Sequence, residues 1–120
     1  MLVASGGLDL AFALFHLAFW RLFDWPDRLL PAGRLNAAIT QTLNAMLAFV
    51  FGAYGAGLIW QSLGASAGAG SWLLPLAGAA FWTLRFGLQI VWFDLRPVAS
   101  RAIAAIFALA AVLHAAAAMV

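Results

Sequence analysis

Charge is almost absent from long stretches of this chain, and that absence limits the folds open to it. Of its six arginines and four aspartates, eight fall in two short segments, Arg21–Arg34 and Asp94–Arg101. The stretches between and beside them are apolar over roughly the 20 residues that a helix needs to cross a bilayer. The sequence therefore predicts membrane-spanning helices. We call the two charged segments hinge 1 (Arg21–Arg34) and hinge 2 (Asp94–Arg101).

The composition excludes a water-soluble globule. Hydrophobic residues make up 67% of the chain and charged residues 8%, against about 45–50% and about 25% in soluble domains. The chain has no cysteine, which removes disulfides and thiolate metal sites from consideration. Its net charge of +2 comes without a basic stripe, so no nucleic-acid partner is expected.

A third break divides the long apolar stretch between the hinges. The segment "SLGASAGAGS", Ser62–Ser71, is rich in glycine and serine, which favour a turn over continued helix. Short connections of this kind favour antiparallel neighbours. The predicted fold is therefore all-α, an integral membrane protein whose single domain, residues 1–120, is an up-down bundle of four transmembrane helices. The spans are expected near residues 2–22, 35–61, 72–93 and 98–120.

Arginine also predicts the orientation of these spans. Five of the six arginines lie in the two hinges, and the Ser62–Ser71 turn has none. Because short cytoplasmic loops carry the excess of basic residues, the hinges should be cytoplasmic and both termini outside. We expect a multi-pass protein of the cytoplasmic (inner) membrane.

Arg85 is the exception to this pattern, since it is the only charged residue from Leu35 to Phe93. An arginine in the middle of a span costs about 2.5–3.5 kcal/mol on insertion scales, so another group must compensate its charge. Two compensating groups can be considered. One is Asp9, the only carboxylate inside a predicted span, and the other is a bound anion such as a lipid headgroup.

Several polar side chains are expected at the same depth as Arg85, in the cytoplasmic half of the membrane. With a rise of about 1.5 Å per residue, these groups span roughly 6–8 Å vertically. They predict a ligand site open to the cytoplasm, in which Arg85 attracts the ligand, amides orient it and His16 handles protons. The predicted ligand-binding residues are His16, Gln41, Asn44, Trp82, Arg85 and Gln89.

The same residues also allow a purely structural interpretation, in which a polar network sets helix register and Arg85 extends inward along Trp92. Asp9 and His114 form a second predicted pair in the outer half, about one helical turn apart in height, which would share a charge or a proton. A haem between His16 and His114 is disfavoured because their heights differ by roughly 13 Å. No metal-ligand spacing occurs, and no particular cofactor is indicated.

Small residues line one face of the second predicted span. Ala48, Gly52 and Ala56 recur at helical spacing, and Gly55 and Gly57 lie beside them. Such stripes let helix backbones approach closely. We expect tight packing, within one chain or between subunits, rather than a permeation path.

The sequence assigns no catalytic residue, because no nucleophile and base pair and no phosphate-binding loop occur, and a non-enzymatic role is favoured. The leading hypothesis is a small polytopic membrane protein that binds or transports a small polar, anionic or lipid-like ligand. Two alternatives stay open. One is a membrane enzyme acting on a lipid or quinone-like substrate through His16, and the other is a structural or accessory subunit of a membrane complex. The expected partners are membrane lipids and further copies of the chain.

Overall fold

The structure is a computed structural model that describes residues 1–65 and 71–119. Throughout those residues the regular structure is helical and no strand occurs, which confirms the all-α prediction. A single 3₁₀ turn, Leu30–Ala32, lies in hinge 1. The helices are α1 (Leu2–Leu17), α2 (Phe19–Leu22), α3 (Arg34–Trp60), α4 (Leu73–Trp92) and α5 (Val98–Ala118).

Three of the described helical segments are long and apolar enough to cross a bilayer. The first is α3 together with its continuation, Arg34–Gly64, with a mean hydropathy of 1.6 over its most apolar part. The others are α4, with 1.3, and α5, with 1.9. Helices of this length and composition are those of an integral membrane protein.

The first apolar segment differs from its prediction as one helix over residues 2–22. Helix α1 has 16 residues, so it is about 24 Å long, short of the roughly 30 Å hydrocarbon core. Its ladder is disturbed at Ala18, whose amide is shared between the carbonyls of Leu14 and Phe15, each at 3.1 Å. The helix resumes as α2. No proline or glycine marks this position, which is why the sequence pattern did not predict the break.

Helix α3 ends where the glycine-rich segment begins. It passes at Gln61 into a wider π-type turn that runs to Ala65. Gly64 in that turn has a φ of +81°, a conformation that glycine adopts without a steric penalty. The Gln61 side chain donates to the carbonyl oxygen of Ser71 at 2.6 Å. The predicted turn Ser62–Ser71 is thus described at both ends, while residues 66–70 lie outside the described part of the chain.

The chain divides into two compact units. The first, Gly6–Gly57, contains most of α1 and α3, and we call it the α1–α3 unit. The second joins Met1–Ser5 to the chain from Leu58 onward, and we call it the α4–α5 unit.

The α1–α3 unit is an antiparallel pair held by close backbone approach. A Cβ atom built on Gly55 would lie 2.6 Å from the carbonyl oxygen of Gly6 and 3.1 Å from the backbone nitrogen of Leu10. About one turn away on α3, a Cβ on Gly52 would meet the Cβ of Ala13 at 3.9 Å. Tight packing of these two glycines, expected from the small-residue stripe, therefore occurs within one chain.

The α4–α5 unit is also an antiparallel hairpin, with α4 and α5 packed along each other. Trp82 is 1% exposed, and its ring stacks on Phe107 with centroids 5.6 Å apart and planes at 27°. Pro97 is the N-cap residue immediately before α5 and has an extended ψ of 137°. In the turn before it, the Asp94 carboxylate accepts a hydrogen bond from the Arg96 amide at 2.9 Å. Short turn geometry thus sets the register of the two helices.

Candidate functional site

The residues predicted to form one ligand site divide between the two units. His16, Gln41 and Asn44 belong to the α1–α3 unit, and Trp82, Arg85 and Gln89 belong to the α4–α5 unit. Within each unit the structure brings the polar residues into specific contacts. That all six form one site remains a prediction.

His16 and Asn44 form a reciprocal pair that joins α1 to α3. His16 Nδ1 lies 2.7 Å from Asn44 Oδ1, and Asn44 Nδ2 donates to the backbone carbonyl oxygen of His16 at 2.8 Å. The carbonyls of the last turn of a helix lack partners inside that helix. Since α1 ends at Leu17, Asn44 supplies a donor at a helix end. The predicted proximity of His16 and Asn44 is therefore realised as two hydrogen bonds.

This geometry defines the proton position on neutral His16. A backbone carbonyl oxygen can only accept, so the Asn44 atom beside it is the NH₂ group and the other amide atom is the oxygen. That oxygen also only accepts, so His16 Nδ1 carries the proton and donates it. The lone pair of the neutral imidazole is then on Nε2, the nitrogen that can accept a proton.

Aromatic rings surround the imidazole of His16. Phe19 stacks on it with centroids 4.6 Å apart and planes at 27°, and Phe51 of α3 lies at 5.4 Å. Phe15 contacts it edge-on at 6.1 Å. Aromatic surfaces and the Asn44 amide thus contact the ring, an arrangement that restricts its rotation.

Gln41 contacts Trp20 rather than His16. Trp20 Nε1 donates to Gln41 Oε1 at 2.9 Å, while Gln41 Nε2 donates to the Ala37 carbonyl oxygen of its own helix at 3.2 Å. Trp20 was not among the predicted site residues, although it lies four residues after His16 on the same helical face. An indole N–H inside an apolar environment needs an acceptor, and that requirement was the available signal.

Arg85 lies against two aromatic faces of the α4–α5 unit. Its guanidinium carbon is 4.3 Å from the ring centroid of Phe107 and 5.3 Å from that of Phe93. Phe93 follows α4 by one residue, so the side chain extends towards the hinge 2 end of the helix. The side chain lies along Phe93 and Phe107 rather than along Trp92, the residue that the structural interpretation named. A cation is attracted to the face of an aromatic ring by the ring's quadrupole.

No carboxylate of the same unit neutralises Arg85. Asp94 is the only acidic residue in that part of the sequence, and it bonds the Arg96 amide and lies 4.0 Å from Arg96 Nε. Arg101 instead donates to the carbonyl oxygens of Arg96 at 3.0 Å and Leu95 at 3.4 Å. Among the described residues of this unit, the favourable contacts of the Arg85 charge are with aromatic ring faces and not with a carboxylate.

Gln89, one turn after Arg85, is buried against α5. Its Nε2 atom donates to Ser100 Oγ at 3.1 Å, and its Oε1 atom is buried with no hydrogen-bond donor among the described residues. A buried amide oxygen without a donor is costly and uncommon. Ser100 was not predicted. Its position opposite Gln89 follows from the hairpin register that hinge 2 sets.

The predicted pair Asp9 and His114 has both members fully buried, at 0% exposure. His114 Nδ1 donates to the Ala110 carbonyl oxygen of its own helix at 2.8 Å. Asp9 belongs to the α1–α3 unit and His114 to the α4–α5 unit. Their pairing therefore remains a prediction, although burial agrees with inward-facing side chains.

Hinge 1 contains a cleft that the sequence did not predict, with a volume of about 370 Å³. Arg28 Nε lies 3.6 Å from the Asp24 carboxylate at its rim, and both side chains are largely exposed. The pair thus places one positive and one negative group beside an apolar surface. The lining residues are Leu22, Phe23, Asp24, Trp25, Arg28 and Leu29.

Across residues 1–65 and 71–119, no group of three or more histidine or acidic side chains is placed to hold a metal ion. Comparisons with protein families, with curated proteins and with solved structures found no match. The fold and the polar contacts together define an all-helical protein with three helices suited to a membrane, and with polar residues at the helix contacts of both units.

Proposed function

We propose that this protein is a four-span protein of the cytoplasmic membrane that binds a small anionic or lipid-like ligand from the cytoplasmic side. One observation carries the proposal. Arg85 lies in an apolar helix, has no carboxylate partner in its own unit, and directs its guanidinium towards hinge 2. An arginine inside a membrane usually marks a ligand or substrate path. An anionic group is the partner that such a cation attracts.

The His16–Asn44 pair gives the proposed site a proton acceptor. The Asn44 side-chain oxygen accepts a hydrogen bond from Nδ1–H of His16, so Nε2 is the basic nitrogen of the neutral imidazole. Sequence-based depth puts His16 in the same half of the membrane as Arg85. We assign His16 the role of proton handling and Gln41, Asn44 and Gln89 the role of orienting the ligand.

The proposed ligand site is tested by binding of anionic lipid. In native mass spectrometry of protein released from nanodiscs, the wild type should retain phosphatidylglycerol in preference to phosphatidylcholine, and the spectra also give the number of chains in the assembly. Arg85→Gln should reduce retention of the anionic lipid by about tenfold, the equivalent of about 1.4 kcal/mol. Arg85→Lys should keep part of it, because charge remains without the planar fork.

The matched control is Arg28→Gln, which removes the same charge from an exposed, Asp24-paired position of hinge 1. It should leave retention within about twofold, since exposed pairs contribute little. Unchanged retention in Arg85→Gln, with helicity and thermal stability intact, would exclude the proposed site.

The proposed topology has both hinges in the cytoplasm and both termini outside. The chain has no cysteine, so single cysteines can be introduced without further changes. A membrane-impermeant maleimide should label Ser62→Cys in intact spheroplasts, and Ala32→Cys and Ala99→Cys only after permeabilisation. Val3→Cys tests whether the short helix α1 is part of a span. If α1 and α2 together cross the membrane, Val3→Cys should be labelled from outside. Protection of Val3→Cys before permeabilisation would reduce the number of spans to three.

A further inference from the structure

Two polar side chains of α4 that each lack a hydrogen-bond partner for one group, among the described residues of their unit, lie one helical turn apart. The guanidinium of Arg85 has aromatic contacts but no hydrogen-bond acceptor among the described residues of its unit. Gln89, at position i+4 on the same face, is 2% exposed, and its buried Oε1 atom has no donor among the described residues. Side chains four residues apart on a helix are about 5–6 Å apart at Cβ. One small group can therefore contact both.

The two requirements are chemically different. Arg85 offers only donors and a positive charge, so it requires an acceptor and favours an anion. Gln89 Oε1 offers only an acceptor, so it requires a donor. A simple anion without a hydrogen atom to donate satisfies the first residue and leaves the second unmet.

The orientation of the Gln89 amide decides whether its unpartnered end requires a donor or an acceptor. Ser100 offers a single oxygen, 3.1 Å from one end of the amide. If the oxygen and nitrogen of Gln89 were exchanged, the end without a partner would be the NH₂ group instead of the carbonyl oxygen. A hydroxyl group both donates and accepts, so it satisfies the amide in either orientation.

We infer that the Arg85–Gln89 site takes a phosphate ester anion that carries a hydroxyl group a few bonds from its phosphate, the chemistry of a glycerol phosphate headgroup. The phosphate oxygens accept from Arg85, and the hydroxyl donates to Gln89. Phe93 and Phe107 cover the guanidinium and reduce its contact with water. This inference rests on the proposed function, because it specifies the ligand of that site. The source of the headgroup is either a membrane lipid or a free glycerol phosphate.

The test compares two lipids that differ only in the hydroxyl groups. Phosphatidylglycerol and phosphatidylpropanol with the same acyl chains carry the same charge and the same three headgroup carbons, and the second has no headgroup hydroxyl. Nanodiscs containing both lipids are used with the intact wild-type protein, and retained lipids are counted by native mass spectrometry. The wild type should prefer phosphatidylglycerol by about fivefold, the effect of one net hydrogen bond.

Gln89→Leu should remove this preference while total retention of the two anionic lipids stays within about twofold of the wild type. The control is Thr83→Val, which should keep the preference, since the Thr83 hydroxyl bonds the Ala79 carbonyl of its own helix at 2.7 Å. Competition with soluble glycerol phosphate distinguishes the two sources. Displacement of the lipid supports a free ligand for the same site, and its absence supports a lipid headgroup.

Equal retention of both lipids by the wild type would overturn the hydroxyl requirement and leave the proposed anion site intact. Failure to retain either lipid would overturn the proposed function and this inference together. The wild-type comparison requires no variant, so a folding defect in Gln89→Leu does not prevent the decision.

Discussion

Replacing Gly55 by alanine is expected to destabilise the protein by about 1–3 kcal/mol, the usual cost of overpacking a close contact. The added Cβ would lie 2.6 Å from the Gly6 carbonyl oxygen and 3.1 Å from the Leu10 nitrogen. These two atoms are the two ends of one helical hydrogen bond of α1. Because they are backbone atoms, the clash can be relieved only if the helices move apart. Helix propensity alone predicts the opposite sign, since alanine is the better helix former.

The matched control is Gly7→Ala on α1, where an added Cβ meets nothing within 4 Å. This change should stabilise the protein by about 0.5–1 kcal/mol through helix propensity. Both variants are compared by unfolding in mixed micelles of increasing dodecyl sulfate, followed by helical circular dichroism. If both substitutions shifted the midpoint in the stabilising direction, close packing of α1 on α3 at Gly55 would be wrong.

Asn44→Leu is expected to destabilise the protein by about 1–3 kcal/mol, even though leucine is the more favourable residue in an apolar helix. The substitution removes both hydrogen bonds to His16, at 2.7 and 2.8 Å. The imidazole N–H and the backbone carbonyl oxygen of His16 then lose the hydrogen bonds that the Asn44 amide forms with them. Interhelical hydrogen bonds in membranes are worth about 0.6 kcal/mol on average and up to about 1.7 kcal/mol, so two of them account for this range.

A double-mutant cycle with His16→Phe separates the pair from other effects of each substitution. The coupling energy between His16 and Asn44 should be about 0.5–2 kcal/mol by the same unfolding assay. Asn36→Leu is the control on the same helix, because Asn36 is exposed and its side chain bonds a carbonyl four residues away, that of Ala32, at 2.7 Å. It should cost less than about 0.5 kcal/mol. Additive effects of His16→Phe and Asn44→Leu would mean that the two side chains do not stabilise each other.

These two predictions are connected through the geometry of the α1–α3 unit. Small residues at a helix contact bring backbones close enough for short polar side chains to bond across it. Gly55 and Gly52 provide that approach near one end, and Asn44 reaches the His16 carbonyl near the other. A variant that separates the helices at Gly55 should therefore also weaken the His16–Asn44 pair, and with it the proposed proton acceptor.

Much of the architecture was accessible from the pattern of charges. Hinge 2 separates α4 from α5, and hinge 1 precedes α3, as the positions of arginine and aspartate predicted. The pattern is informative because an apolar segment in a bilayer must form its backbone hydrogen bonds internally. That requirement leaves little choice of secondary structure. The break at Ala18 was missed, since it depends on hydrogen bonds shared between two carbonyls and not on a helix-breaking residue.

The partners of the polar residues were less accessible. Depth correctly placed His16 beside Asn44, but it did not distinguish His16 from Trp20 as the neighbour of Gln41. It also gave no reason to include Ser100 or Phe107, which contact Gln89 and Arg85 from α5. A height estimate resolves about one helical turn, whereas a hydrogen bond requires about 3 Å and a defined direction.

The sequence by itself determined that this protein is helical and suited to a membrane, because apolar length and the near absence of charge allow few other folds. It also identified Arg85 as the residue whose charge needs an explanation. Only the tertiary structure decided that the rings of Phe93 and Phe107 contact that charge, and that the Gln89 oxygen has no donor within the described part of the chain. The physical reason is that the free energy of moving a side chain from water into a membrane depends on that residue alone. Hydrogen bonds and ring contacts depend on the register between helices.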